Sequence, residues 1–155
     1  MIARYARAGP EQLPKMNSLF DDGADVCDLP VSINGTTYPN SISWWSTSAD
    51  CYFDSGGIEP YGSSGDTNAD AYNLERSCYQ LQGDAGITDD SDSGSQVDLT
   101  IADDGNTVWN TTLNLGSTYP INLNITNVLR ISIEPQLLAG NSVTAAIGNA
   151  RVLCS

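Results

Sequence analysis

GDAGITDDSDSGSQVDLTIADDGN, residues 83–106, is the stretch on which the reading of this chain turns. Two short apolar runs sit there between turns rich in aspartate, glycine and serine. In QVDLTIAD, Val97, Leu99 and Ile101 occupy every second position, the period of a strand with one buried face. Asp104-Gly105 supplies the left-handed backbone that a two-residue hairpin turn demands. The aspartates admit three readings: calcium ligands, an enzyme's acids, or the solvated turns of a sheet.

Outward from this stretch the same alternation recurs. VSINGTTYPNSISWW, 31–45, places two apolar stretches around Asn34-Gly35, a hairpin dipeptide, and CYF, 51–53, is a further short strand. The Gly, Ser, Asp and Pro of residues 54–71 read as a long surface loop. Strands are expected near 72–74 and 78–83. Beyond the Asp-Gly turn, Val108, Leu113 and Leu115 are expected to face inward, with an irregularity between them. Ile121, Leu123 and Ile125 form the next inward face, and Leu129, Ile131 and Ile133 the one after. AAIGNARVLC, 145–154, closes the set. Short strands at roughly ten-residue spacing, with no helical repeat, predict an all-β fold, an antiparallel sandwich.

Length and composition bound the function. The 155 residues, 40% of them hydrophobic, suit one domain with its own core. No apolar run is long enough to span a membrane, and no signal peptide is visible. Residues 1–22 differ from the rest: prolines and mixed charge, with Arg4, Arg7 and Lys15 against Glu11, read as a tether or a short interrupted helix before a domain at 23–155. The net charge of -13 repels phosphate backbones, so nucleic acid is not an expected partner. The chain has no histidine, which removes Ser-His-Asp and Cys-His catalysis and His-based zinc sites. No phosphate-cradling glycine loop appears. The cysteines 27, 51, 78 and 154 do not form CxxC pairs, and their even number suggests two disulfides and an oxidising compartment. Three pairings are open. The expected one joins Cys27 to Cys154, across the ends of the domain, and Cys51 to Cys78, around the middle loop.

Three stretches carry a family pattern. SINGTTYPNSIS, 32–43, resembles the entry motif of the NPCBM domains, which include carbohydrate-binding module family 51. YQLQGDAGITDDSDSGSQVDLTIADDG, 79–105, is similar to the family's centre, with Gly86, Asp89, Asp90, Gly94 and Asp104-Gly105 in order. SVTAAIGNARVL, 142–153, resembles its last strand, matching at Ala150 and Arg151. The resemblance covers about residues 26–154. It implies a galactose-binding-like jelly-roll β-sandwich and a non-catalytic sugar-binding or adhesion module. Such modules ride on extracellular glycosidases or cell-surface proteins, so the implied partners are a glycan or surface polysaccharide and other domains of a larger parent chain. The chain departs from the pattern at Ser43-Trp44-Trp45-Ser46, at Ala146 and Ile147, where the family has Asp-Trp, and in loop 54–71. Family ligand residues are not carried to those positions.

Candidate sites follow from the residues. Asp84, Asp89, Asp90 and Asp92 are the candidate ligands of a structural Ca²⁺, since hard cations take several oxygens and an acidic turn supplies them; the spacing is not that of an EF-hand, and a solvated turn is the plainer reading. Asp103-Asp104-Gly105 reads as a turn only. Trp44 and Trp45 are adjacent, so on a strand they point to opposite faces: one into the core, the other outward, where it would stack on a sugar. Tyr52, Tyr61 and Tyr72 would extend that platform; Trp109 has a weaker claim. Glu59 with Asp54 or Asp66 could form the acid pair of a hydrolase, a reading set below binding. Asn34, Asn110 and Asn124 begin N-glycosylation sequons. The leading expectation is a sugar-binding module that is not an enzyme; the alternative is a structural or protein-interaction sandwich that has lost the sugar site.

Overall fold

The computed structural model describes residues 9–12, 30–45 and 70–154, and within these only the backbone of 9–12, Trp45 and Asp70. The elements are β1 (Gly9–Gln12), β2 (Val31–Ile33), β3 (Thr36–Tyr38), β4 (Ser41–Trp45), β5 (Asp70–Asn73), β6 (Cys78–Ile87), β7 (Gln96–Asp103), β8 (Asn106–Asn114), β9 (Thr118–Asn124), β10 (Arg130–Ala139) and β11 (Thr144–Cys154). All pairings are antiparallel. One sheet runs β11-β6-β9, with β4 and β1 placed end to end along the far side of β11; β4 pairs Thr144–Gly148 and β1 pairs Arg151–Cys154. The second sheet runs β5-β10-β7-β8.

The sheets face each other across one apolar core. Leu81, Ala85, Ile87, Ala145, Ile147 and Val152 come from the first sheet; Val97, Leu99, Ile101, Ile131, Ile133 and Leu137 come from the second. The predicted alternation of QVDLTIAD and RISIEP is therefore the inward face of β7 and β10. Two predicted inward residues are exposed instead: Val108 at 39% and Leu129 at 44%. At Val108 the cause is a bulge. Ile101 pairs Trp109 while Ala102 pairs Thr107, which leaves Val108 as the extra residue and turns Trp109 toward the core. Leu129 precedes β10 and lies outside its alternation.

A second bulge lies in β11. The register shifts between Gly148 and Arg151, around Asn149 with φ 52°. Ala145 and Ile147 face the core before it, and Ala150, Val152 and Cys154 after it. One strand thus crosses the whole sheet with its apolar side kept inward although the parity of the sequence changes.

The β2–β3 hairpin is not part of either sheet. It lies on the outer face of the first, where Val31, Ile33 and Tyr38 pack on Ala146. Asn34 and Gly35, with φ 48° and 80°, make its turn, as Asn-Gly predicts. The face beneath must be almost bare. A Cβ on Gly86 would collide with the Ile33 side chain, and one on Gly148 with the Tyr38 ring. Ser41 and Ser43 are fully buried on the same strand whose Ile42 and Trp44 enter the core.

Two expectations are corrected. Residues 9–12, read as tether, form an edge strand on the stretch of β11 that β4 leaves open; Pro10 is compatible with an edge. The disulfide joins Cys78 to Cys154, not Cys27 to Cys154 or Cys51 to Cys78. Antiparallel register sets Cys78, at the start of β6, opposite Cys154, at the end of β11. Cys27 and Cys51 lie outside the described residues. Non-reducing peptide mapping is expected to recover a Cys78–Cys154 peptide, and its absence in favour of either other pairing would refute the register. The bond spans 76 residues of sequence; replacing both cysteines by serine is expected to cost about 4 kcal/mol in denaturant unfolding.

Candidate functional site

The acidic turn that joins β6 to β7 is a hub of hydrogen bonds. Asp89 accepts from the N–H groups of Asn34 and Gly35, at 2.8 and 2.9 Å, and returns its own N–H to the Ser32 carbonyl. Asp92 accepts from Asn141 and Ser142 and donates its N–H to the Ser142 carbonyl. Asp104, at the next turn, accepts from Leu129 and Arg130 and donates to the Arg130 carbonyl. Asp90 accepts from the Thr88 hydroxyl at 2.5 Å, and Asp84 accepts from the Tyr38 hydroxyl at 3.1 Å. Burial raises the Tyr38 phenol above its ordinary pKa, and the charge and hydrogen bond of Asp84 raise it further.

The four carboxylates expected to share a calcium ion are therefore directed to different partners. Asp89 faces the β2–β3 turn, Asp92 the segment before β11, and Asp84 the Tyr38 ring. Among the described residues no three acids or thiols stand together as a metal-binding group. The donor set does not fit a calcium centre.

A hollow of about 350 Å³ opens at this rim of the sandwich, lined by Pro30, Val31, Ser32, Thr88, Asp89, Asp90 and Thr144. The volume lies at the low end of the range for small-molecule sites, about 300–1,000 Å³. Its walls come from three segments. Thr88 is held by its N–H on the Thr144 carbonyl, and Thr144 by its N–H on the Ser91 hydroxyl. Pro30 and Val31 give one apolar side, and the Asp90 carboxylate with the Ser32 and Thr88 hydroxyls gives the polar side. Such a mixture suits a ring with one C–H face and a rim of hydroxyls. Asp89, which also lines the hollow, is held by two amides.

The predicted aromatic platform is placed differently. Trp44 and Tyr72 are fully buried in the core and are not available for stacking. Trp45 pairs by its backbone with Thr144, which lines the hollow. Tyr52 and Tyr61, and the acids Asp54, Glu59 and Asp66, lie outside the described residues. Trp109 is partly buried against the core. Tyr79, not singled out by the sequence, is the most exposed aromatic among the described residues, at 45%.

Comparison with known proteins fits this arrangement. The model of the NPCBM/NEW2 domain matches residues 64–151. The chain belongs to the NPCBM/NEW2 family. No curated protein matches its sequence. Among solved structures, it is similar to a structure of the M60 catalytic domain with two CBM51 domains from Clostridium perfringens ZmpB, with TM-score 0.65 and 11% identity over 94% of this chain and 15% of that one. It is also similar to the tandem CBM51 modules of the Streptococcus pneumoniae family 98 glycoside hydrolase, with TM-score 0.64 and 10% identity over 95% and 47%. A third is the CBM51 of C. perfringens GH95 in complex with methyl-galactose, with TM-score 0.51 and 10% identity over 97% and 92%. These likenesses establish the galactose-binding-like jelly roll. The chain spans less than half the length of the first two proteins.

In this NPCBM/NEW2 domain the family-like motifs prove to be one unit. The Asn-Gly turn of the entry motif is gripped by Asp89 of the central motif, across 55 and 54 residues of sequence. The departures at Ala146 and Ile147 are both buried, one under the hairpin and one in the core. They do not alter an exposed surface.

Two variants test the hub. Asp89→Ala removes the acceptor of two solvent-accessible turn amides and is expected to cost about 1 kcal/mol in urea unfolding; an unchanged midpoint would show the contact to be dispensable. Tyr38→Phe removes one hydrogen bond and is expected to cost about 1 kcal/mol at neutral pH. Because the folded phenol is raised above 10.0, this contribution is full below that pH and fades as pH rises through the folded value. The gap between wild type and Tyr38→Phe should therefore narrow in strong alkali.

Proposed function

We propose that this domain is a non-catalytic glycan-binding module of an extracellular or cell-surface protein, and that the rim hollow at Thr88, Asp90 and Thr144 holds the sugar. The observation that carries the reading is the hollow itself: one carboxylate not engaged with backbone amides, hydroxyls on two of its walls, and an apolar side, all held in place by the family-like motifs. Membership of the NPCBM/NEW2 family supports it. Recognition proceeds by hydrogen bonds from vicinal sugar hydroxyls to Asp90 and the hydroxyls of Ser32 and Thr88. Trp45, backbone-paired beside the hollow, is the residue assigned to stacking. Both oxygens of Asp89 are committed to the Asn34 and Gly35 amides, which supports binding without hydrolysis. The Cys78–Cys154 bond supports an oxidising compartment. Relatives in which the module is a fraction of a longer chain support other domains as partners.

The test is a glycan array, with galactosides and N-acetylglucosamine-terminated glycans included because similar modules were solved with methyl-galactose and GlcNAc. It is run on the oxidised domain with calcium and with EDTA. Binding is expected, with about ten- to hundred-fold loss in Asp90→Ala, the range for a charged hydrogen bond, and loss in Trp45→Ala. Calcium is not expected to alter it; loss in EDTA would restore an ion to the site. Silence across the array from a folded protein would turn the reading to a protein-interaction sandwich.

A further inference from the structure

A second hollow lies at the opposite end of the first sheet. It measures about 370 Å³ and is lined by Tyr79, Gln80, Asn122, Asn124 and Thr126. We propose that it is a separate binding surface for a neutral oligosaccharide, with Tyr79 as the stacking residue.

The exposure of Tyr79 is built in. β11 pairs Leu153 with Gln80 and Cys154 with Cys78, so Tyr79 is the extra residue of a bulge and has no partner on that strand. Bulges re-aim side chains. Its backbone is nevertheless fixed on both sides: Cys78 is buried and bonded to Cys154, and the Tyr79 carbonyl accepts the Ile125 N–H at 3.1 Å. A tyrosine has few rotatable bonds, so a ring on such a base stacks at low entropic cost. The C–H face of a sugar suits that ring.

The neighbours are amides and a hydroxyl. Register sets Gln80 beside Asn124 and Gln82 beside Asn122 on the same sheet face. Gln80 Nε2 donates to Asn122 Oδ1 at 2.5 Å, and Asn124 Oδ1 accepts the Thr126 N–H at 2.9 Å. These bonds orient the amides and leave Gln80 Oε1 as an acceptor and Asn122 Nδ2 and Asn124 Nδ2 as donors. Donors and acceptors alternating along a sheet match a run of sugar hydroxyls. No lining residue is charged, although the chain carries -13. A neutral chain is therefore the fitting occupant, and sialylated or sulfated chains are repelled by the surrounding acidity. Tyr79 and Thr88 are nine strand positions apart, about 30 Å, so this surface is distinct from the rim hollow and does not rest on it.

The test is an NMR titration of the ¹⁵N-labelled oxidised domain, made in a host that does not glycosylate Asn124. The probes are neutral hexasaccharides of glucose, galactose, mannose and N-acetylglucosamine. Saturable amide shifts are expected at 79–82 and 122–126 with at least one probe. Tyr79→Ala should weaken that binding about ten-fold or more with the melting temperature unchanged, Tyr79→Phe should retain it, and Asp90→Ala should leave it intact. Shifts confined to 88–90 and 144 would overturn this proposal while supporting the rim site. No shifts at 79–82 and 122–126, or shifts unaltered in Tyr79→Ala, would overturn it as well.

Discussion

One hydrogen-bond arrangement, used three times, holds the loops of this sandwich. Asp89, Asp92 and Asp104 each accept two consecutive backbone N–H groups of a remote segment and return their own N–H to a carbonyl there. These bonds lie at exposed turns, where water is the competing partner, so each is worth the modest net value of a protein hydrogen bond, about 1 kcal/mol, and the pairs act mainly to fix geometry. An aspartate has the reach of a single methylene, so each grip also fixes distance. Asp89 and Asp92 sit three residues apart and hold different partners, the hairpin at 34–35 and the segment at 141–142. The β6–β7 turn therefore sets the relative position of the three walls of the rim hollow. Three of the seven aspartates of residues 83–106 serve in this way as acceptors for backbone.

The second constraint is the absence of side chains under the hairpin. Where the β2–β3 hairpin lies on the first sheet, both faces of β11 are covered. The segment Ala145–Gly148 is accordingly buried at every position. Gly86, Ala146 and Gly148 contribute next to nothing to the outer face, and Ile33 and Tyr38 fill the space that larger residues would have taken. A sheet covered on both faces loses the alternation that marks a half-exposed strand, and AAIG shows that loss directly.

The legible and illegible parts of the sequence divide along that line. Strands β7, β9 and β10 each have one face in the core, and their period-two pattern named Val97, Leu99, Ile101, Ile121, Ile131 and Ile133 correctly. Both hairpin turns were written in Asn34-Gly35 and Asp104-Gly105. What failed was anything set by register between distant strands. The bulge at Val108 reverses which neighbour faces inward, and no local signal marks it. The Cys78–Cys154 bond follows from the β6–β11 register, which a spacing of cysteines does not contain. Edge strand β1 is not legible because GPEQ carries no apolar alternation; what defines it is its pairing with the stretch of β11 that β4 leaves open. At the candidate sites, Trp44 is the core member of the Trp44–Trp45 pair, as alternation requires of one of the two, whereas Tyr72 is buried because it lies on β5 and not on a loop. Tyr79 carries no local signal because its exposure depends on a bulge, although QLQ and NLN carry an amide alternation on two strands that are neighbours in the sheet.

The two hollows bear on affinity through their geometry. Each is open, and an open site captures little of a ligand's surface, so weak binding at either one alone is the physical expectation. They sit at the two ends of β6, a strand held from both sides by β11 and β9 and closed at one end by a disulfide. Their spacing is thus a fixed length rather than an average over a flexible linker. For a ligand with repeated units, a second contact at fixed spacing is intramolecular and is governed by effective concentration rather than by bulk concentration. On the two proposals above, a polysaccharide long enough to span about 30 Å along the sheet would gain from both contacts, and a monosaccharide from one. Two such sites at fixed spacing would favour polymers and multivalent surfaces over free sugars without requiring tight binding at either end.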